Sequence, residues 1–285
     1  MDFLRGLNAQ QQQAIIADTG PVLVMAGPGS GKTRVLTQRI AYLIGSMGVR
    51  PYHIFAVTFT NKAAREMKNR VIDLLGQQTL GLTLGTFHGA CARILRREAD
   101  HLPFDSNYVI FDADDQIRVI KQVLKDLNID EKRHRPHGVH AGISRAKNEL
   151  VFAEKFSAQS YKDEVVKRVY ERYQQTLLRS NAVDFDDLLL WTANLLETNP
   201  AVRDRYARRY EHVLVDEFQD TNMAQYTLLK YLASYHQNIF VVGDADQSIY
   251  RWRGADYRNV KRFESDFPAA EVILLEQNYR SSQNI

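Results

Sequence analysis

Only one cysteine, Cys91, occurs among the 285 residues. It cannot close an intrachain disulfide, which sets the chain apart from small secreted folds held together by such bonds. No apolar run approaches the roughly 18 residues needed to cross a bilayer, and the N-terminal MDFLRGLNAQQQQ lacks the apolar centre of a signal peptide. These absences lead us to expect a cytoplasmic protein with no membrane partner. Beyond QQQQ (10–13) the sequence has no low-complexity tract and no internal repeat. A strong charge of one sign is missing too: 37 Lys and Arg against 34 Asp and Glu leave a formal +3, too small to announce nucleic acid by itself. Hydrophobic residues at 45% and charged residues at 25% give the balance of a globular protein, long enough for about two domains.

Short apolar runs recur at 22–26, 54–59, 82–87, 212–217, 239–244 and 271–276, most with helical patterns beside them. Such alternation predicts an α/β fold with a parallel sheet wrapped by helices. Between about 93 and 206 the strand signals nearly vanish. There YKDEVVKRVYERYQQTLL (161–178) places Val165, Val166, Val169, Tyr170, Tyr173 and Leu177 on one helical face. The expected organisation is one α/β domain built from residues 1–92 and 207–285, with a mostly helical domain, 93–206, inserted. HRPHGVH (134–140), with its Pro and Gly, reads as a loop or turn. Its histidines, three apart, invite a metal, but no cysteine or acidic ligand is placed to complete a common site. From Lys132 to Arg179 there are 11 Lys and Arg against 5 Asp and Glu, either a solvated helical surface or a contact for nucleic acid.

The strongest chemical signal is AGPGSGKT (26–33). It fits G-x-x-x-x-G-K-[ST] except that Ala26 stands where the first glycine would be, a position that ends a strand and tolerates a methyl group. Gly27, Gly29, Ser30 and Gly31 can turn backbone N–H groups toward phosphate oxygens, and the helix starting at Lys32 and Thr33 adds its dipole. The apolar VLVMA before it and TRVLTQRIAYLI after it supply the strand–loop–helix context that a chance match lacks. VLVDEFQD (213–220) then delivers Asp216 and Glu217 from the end of another apolar run. One carboxylate can serve Mg²⁺ and the other can orient and deprotonate an attacking water; in isolation the pair would pass for a surface acidic turn. In VVGDADQSIYRWRGA (241–255), Gln247 suits a sensor of a γ-phosphate and its water, because an amide both donates and accepts. Tyr250, Trp252 and Arg253 suit a stacking platform for unpaired bases. The alternative for Trp252 is a core aromatic, which its neighbours Arg251, Arg253 and Gly254 make awkward.

Together these segments resemble the N-terminal part of a superfamily 1 DNA helicase of the UvrD/PcrA/Rep type. LNAQQ (7–11) is similar to the family's Q motif, AGPGSGKT to motif I, AVTFTNKAAREM (56–67) to Ia and GTFH (85–88) to Ib. VDFDDLL (183–189) matches within the helical insertion, followed by VDEFQDTN (215–222) as motif II, GDADQSIYRWRGA (243–255) as III and QNYRS (277–281) as IV. Ala245 departs from the acidic residue often found at its position. The resemblance implies a RecA-like fold and roles for individual residues. Gln11 would read the adenine edge, Arg34 would lie near base or ribose, and Tyr279 would stack on adenine. Lys32 would neutralise the β and γ phosphates, Thr33 and Asp216 would serve Mg²⁺, and Arg280 would act as an arginine finger. Single-stranded DNA would cross Phe59, Asn61, His88, Tyr250, Trp252 and Arg253. Two of these have structural alternatives: Phe59 as core and His88 as a helix cap.

The family pattern continues into a second motor domain, so the resemblance leads us to expect a fragment. Its parent would hydrolyse ATP, translocate 3′ to 5′ and act on single strands and single-strand/duplex junctions, with repair or replication proteins as partners. The fragment would bind ATP and hydrolyse it poorly. Two competing readings stay open. One is a non-enzymatic ATP- or DNA-binding regulator, which would have no use for Glu217; the other is the motor subunit of a helicase–nuclease complex.

Overall fold

The computed structural model describes residues 3–244 and 258–279. In chain order, α1 (Ala9–Ile16), β1 (Val22–Ala26), α2 (Lys32–Gly45), β2 (Ile54–Thr58), α3 (Asn61–Leu75), β3 (Thr83–Thr86) and α4 (Phe87–Arg97) come first. Next are β4 (Val109–Phe111), α5 (Ala113–Asp126), α6 (Pro136–Asn148), α7 (Tyr161–Arg179), β5 (Ala182–Asp184) and α8 (Phe185–Thr198). The last are α9 (Pro200–Arg209), β6 (His212–Val215), α10 (Met223–Leu232), β7 (Ile239–Gly243), α11 (Arg258–Asp266) and β8 (Glu271–Leu275). Contacts divide the chain into two compact units. One comprises Met1–Ala90, Asn199–Asn222 and Leu229–Ile285; the other comprises Cys91–Thr198 and Met223–Leu228.

The first unit is a six-stranded parallel sheet in the order β3-β2-β6-β7-β1-β8. Its inner strands are apolar at successive positions because helices cover both faces. Leu23, Val24, Ala56, Val57, Val215 and Val241 are all fully buried. Each of the Val and Leu side chains contributes roughly 1.5–3 kcal/mol of transfer free energy, and Val24 sits in register between Val242 and Ile273. The edge strand β8 alternates instead, burying Ile273 and Leu275 while Val272 and Leu274 face outward. Helix α3 shows why a polar sequence still packs: Ala64, Met67, Val71 and Leu75 form its buried stripe, and the Thr60 hydroxyl accepts from Ala63 N at 3.1 Å to start it. In chain order β1 and β2 are successive, yet β6 and β7 lie between them. The C-terminal ends of β6, β7 and β1 are therefore neighbours, which is where open α/β sheets hold ligands.

The second unit is mostly helical. Val165, Val166, Val169, Tyr170, Tyr173 and Leu177 of α7 are all buried, against Ile120, Val123 and Leu124 of α5 and Val139 and Ile143 of α6. Helix α5 begins with a reciprocal cap in which the Asp112 side chain accepts from Asp114 N and Asp115 N. Two differences from the sequence-based expectation appear. HRPHGVH is a loop only at His134 and Arg135: Pro136 opens α6 as its first residue, where a missing N–H costs nothing and the fixed φ favours the helix. His140 then lies within α6 and its Nε2 is 2.6 Å from Gln116 Oε1. The second difference is a pair of three-residue strands, β4 and β5, joined in parallel with Ile110 opposite Val183.

Candidate functional site

The loop after β1 is shaped by two glycines in the left-handed region, Gly29 at φ 73° and Gly31 at φ 89°. A Cβ on Gly31 would also lie 2.9 Å from Gln11 Nε2, so a side chain there would strain the backbone and push the Gln11 amide aside. Around this loop the Q-motif residues make a fixed frame. Asn8 caps α1 by accepting from Gln11 N at 2.8 Å, and Gln11 Oε1 accepts from Asn8 N at 3.1 Å. The Gln11 amide donates to Ser30 O at 2.8 Å, and Asn8 Nδ2 donates to Tyr279 OH at 2.8 Å. Tyr279 N donates to Gly29 O at 3.0 Å, while the residue is 58% exposed. Gly27 N donates to Leu275 O at 3.2 Å, which fastens the loop to β8. Arg34 is exposed on the first turn of α2.

Helix α2 starts immediately after Gly31, and its first two residues meet the ends of the neighbouring strands. Lys32 Nζ forms an ion pair with Asp244 Oδ2 at 2.8 Å, with both side chains nearly buried. Thr33 Oγ1 donates to Asp216 Oδ2 at 3.3 Å. Burial pushes the Asp216 carboxyl up to about 7, with the adjacent Glu217 adding to the shift. Hydrogen bonds from Glu217 N and Thr33 and the charge of Lys32 oppose it. Glu217 takes a left-handed backbone, φ 52° and ψ 42°, a conformation that costs a non-glycine residue roughly 1–2 kcal/mol. That kink turns the chain into a short 3-10 segment, Phe218–Asp220, anchored by Phe218 against Phe263 at 5.6 Å.

Lys32, Thr33, Asp216 and Glu217 thus come together at the ends of β1 and β6. Sequence reasoning missed three participants: Asp244, Gln219 and Asn8. Asp244 follows the apolar β7 as Asp216 follows β6, and an acid closing an apolar strand was the available signal. At the ends of β2 and β3, Phe59 is half-buried with its ring 5.5 Å from Phe87, edge to face. Asn61 is exposed at the start of α3, and His88 is half-buried in the first turn of α4. The cap of α4 is the Thr86 hydroxyl, which accepts from Gly89 N at 3.2 Å. Gln247, Tyr250, Trp252, Arg253 and Arg280 lie outside the described residues. Among the described residues no helix is long and apolar enough to cross a membrane.

A parallel sheet with a glycine loop and helix N-terminus after β1, flanked by strand-end acids, defines a P-loop α/β domain of RecA type. The model of the UvrD/REP helicase N-terminal domain matches residues 7–268, and the chain belongs to that family. It is 53% identical to the ATP-dependent DNA helicase PcrA of Bacillus subtilis (strain 168) and 52% identical to that of Staphylococcus aureus (strain Mu50). Both matches cover 99% of this chain but only 39% of the relative. The chain therefore spans about two fifths of the length of these curated relatives.

Proposed function

We propose that this chain is the ATP- and single-strand-binding part of an ATP-dependent 3′ to 5′ DNA helicase. Residues 1–92 and 207–285 would form its first motor domain and 93–206 an inserted helical domain. The observation that carries the reading is the meeting of Lys32, Thr33, Asp216 and Glu217 around one loop at adjacent strand ends. A triphosphate on that loop would accept from backbone N–H groups at the start of α2 and would take Lys32 from Asp244, exchanging one anion for another. The hydroxyl of Thr33 and the carboxylate of Asp216, already in contact, form an oxygen donor set suited to Mg²⁺. When bound, Mg²⁺ supplies positive charge at the β and γ phosphates.

Glu217, the carboxylate left outside the Thr33 and Asp216 donor set, would accept a proton from water. As the water oxygen bonds to the γ-phosphorus, the bond to the β–γ bridging oxygen breaks, the proton passes to Glu217, and ADP and phosphate result. Gln247 and Arg280 would contact the transferring phosphoryl group. Exposed Tyr279 would stack on adenine, with Arg34 nearby. Gln11 already spends its amide on Ser30 and Asn8, so reading adenine would require exchanging one of those bonds. Phe59, Asn61 and His88, with Tyr250, Trp252 and Arg253, would line a path for single-stranded DNA or a junction. A single buried cysteine suits the reducing cytoplasm, and repair or replication proteins would be the partners.

The test is ATP hydrolysis with and without single-stranded DNA, on this chain and on a chain extended to the length of the relatives. The 285-residue chain should bind ATP and turn it over slowly, and the extended chain should be stimulated by DNA. An extended chain that hydrolyses ATP at one rate with and without DNA would contradict the proposal.

A further inference from the structure

Between Glu217 and Asp244 lies a side chain that the roles above leave unused. Gln219 is buried, 3% exposed, and its amide makes two bonds of opposite polarity. Its Nε2 donates to Glu217 Oε2 at 2.8 Å, and its Oε1 accepts from Asp244 N at 2.9 Å. A carboxylate only accepts and a backbone N–H only donates, so one orientation of the amide satisfies both. The backbone leaves room for it by design of β7: a Cβ on Gly243 would stand 3.1 Å from Gln219 Oε1 and 3.3 Å from its N. The φ of Gly243 is not in the left-handed region, so space for Gln219, not backbone freedom, is what a side chain at that position would cost.

We infer that Gln219 is a positioning residue that aims the Glu217 carboxylate by fixing it to the end of β7. Glu217 needs such a brace because the rotatable bonds of a glutamate side chain allow several staggered directions, and general-base catalysis demands one. Gln219 ties that carboxylate to the residue which pairs with Lys32, so the group that handles the water and the group that handles the phosphates share one rigid support. It need not touch substrate to do this. The inference rests on the ATPase reading above and adds a residue to it.

Three substitutions test it, with nucleotide Kd measured on the 285-residue chain and steady-state ATPase on the complete product of its gene. Gln219→Glu keeps an acceptor for Asp244 N but sets a second carboxylate against Glu217, so kcat should fall roughly tenfold or more while Kd changes little. Gly243→Ala, which crowds Gln219 without altering it, should give a smaller fall in the same direction. Gln219→Met should slow the wild type, yet in a Glu217→Gln background it should remove about twofold or less of the residual rate, because it acts through Glu217. Equal losses of Gln219→Met in both backgrounds, or a kcat unchanged in Gln219→Glu, would overturn the inference. So would a loss of Kd and thermal stability in parallel with kcat, which marks a merely structural residue. A wild-type protein that neither binds nor hydrolyses ATP overturns the underlying reading and takes the inference with it.

Discussion

Asp216 is where burial and function pull against each other. The folded chain raises its carboxyl to about 7, first through burial and then through Glu217, from an ordinary value of 3.8. Between those limits the folded state keeps a proton that the unfolded state has released. The stabilisation from this group is therefore complete below about pH 4 and is lost as pH rises through about 7. In metal-free buffer Asp216→Asn should accordingly stabilise the chain by roughly 1–3 kcal/mol at pH ~8 and by little near pH ~4. Denaturant melts at the two pH values check this, and equal effects at both would contradict it. The same substitution should remove Mg²⁺-dependent tightening of nucleotide. Lys32, Thr33, Asp216 and Glu217 were legible in the sequence because the spacing within each motif is local. The pairing of Asp244 with Lys32 and Gln219 was not, since it depends on β7 lying beside β6 and β1.

At the scale of elements, the apolar runs at 22–26, 54–59, 212–217 and 239–244 became buried parallel strands, because covering both faces of a sheet leaves an uninterrupted hydrophobic signature. HRPHGVH misled because Pro and Gly punctuate turns in most settings, yet Pro136 occupies the one helical position that suits it. Strands β4 and β5 escaped notice at three residues each, too short for any period to show. VDFDDLL, by contrast, proves to be architectural in the second unit. Lys147 Nζ, fully buried, lies 2.7 Å from Asp184 Oδ2 and 2.8 Å from Asp187 Oδ1. Tyr173 OH donates to Asp184 at 2.9 Å and Gln174 to Asp187 at 3.2 Å. This network joins α6, α7 and the start of α8. Lys147→Met strands two carboxylates in the interior and should cost about 3–5 kcal/mol, measured by urea unfolding. A loss below ~1 kcal/mol would show that the acids simply take up protons at little cost.

Over the whole molecule, the strand order is what converts separate motifs into a site. Helix α1, the loop after β1, the acids after β6 and β7 and Tyr279 are scattered from residue 8 to residue 279. One sheet with β6 and β7 between β2 and β1 brings them together. That order cannot be read from hydrophobic periodicity, which identifies strands but not their neighbours; the resemblance of ordered motifs carried that part. In the proposed site the labour is divided: Lys32 would hold phosphate and Glu217 would serve the water. Titration of Mg²⁺-ATP into the wild type, Lys32→Ala and Glu217→Gln tests it most directly. Lys32→Ala should weaken binding by tenfold or more, on the order of the 1.4 kcal/mol or greater worth of a charge-assisted contact, while Glu217→Gln should bind within about threefold of the wild type. Equal loss of affinity in both variants, or none in Lys32→Ala, would rule out that division.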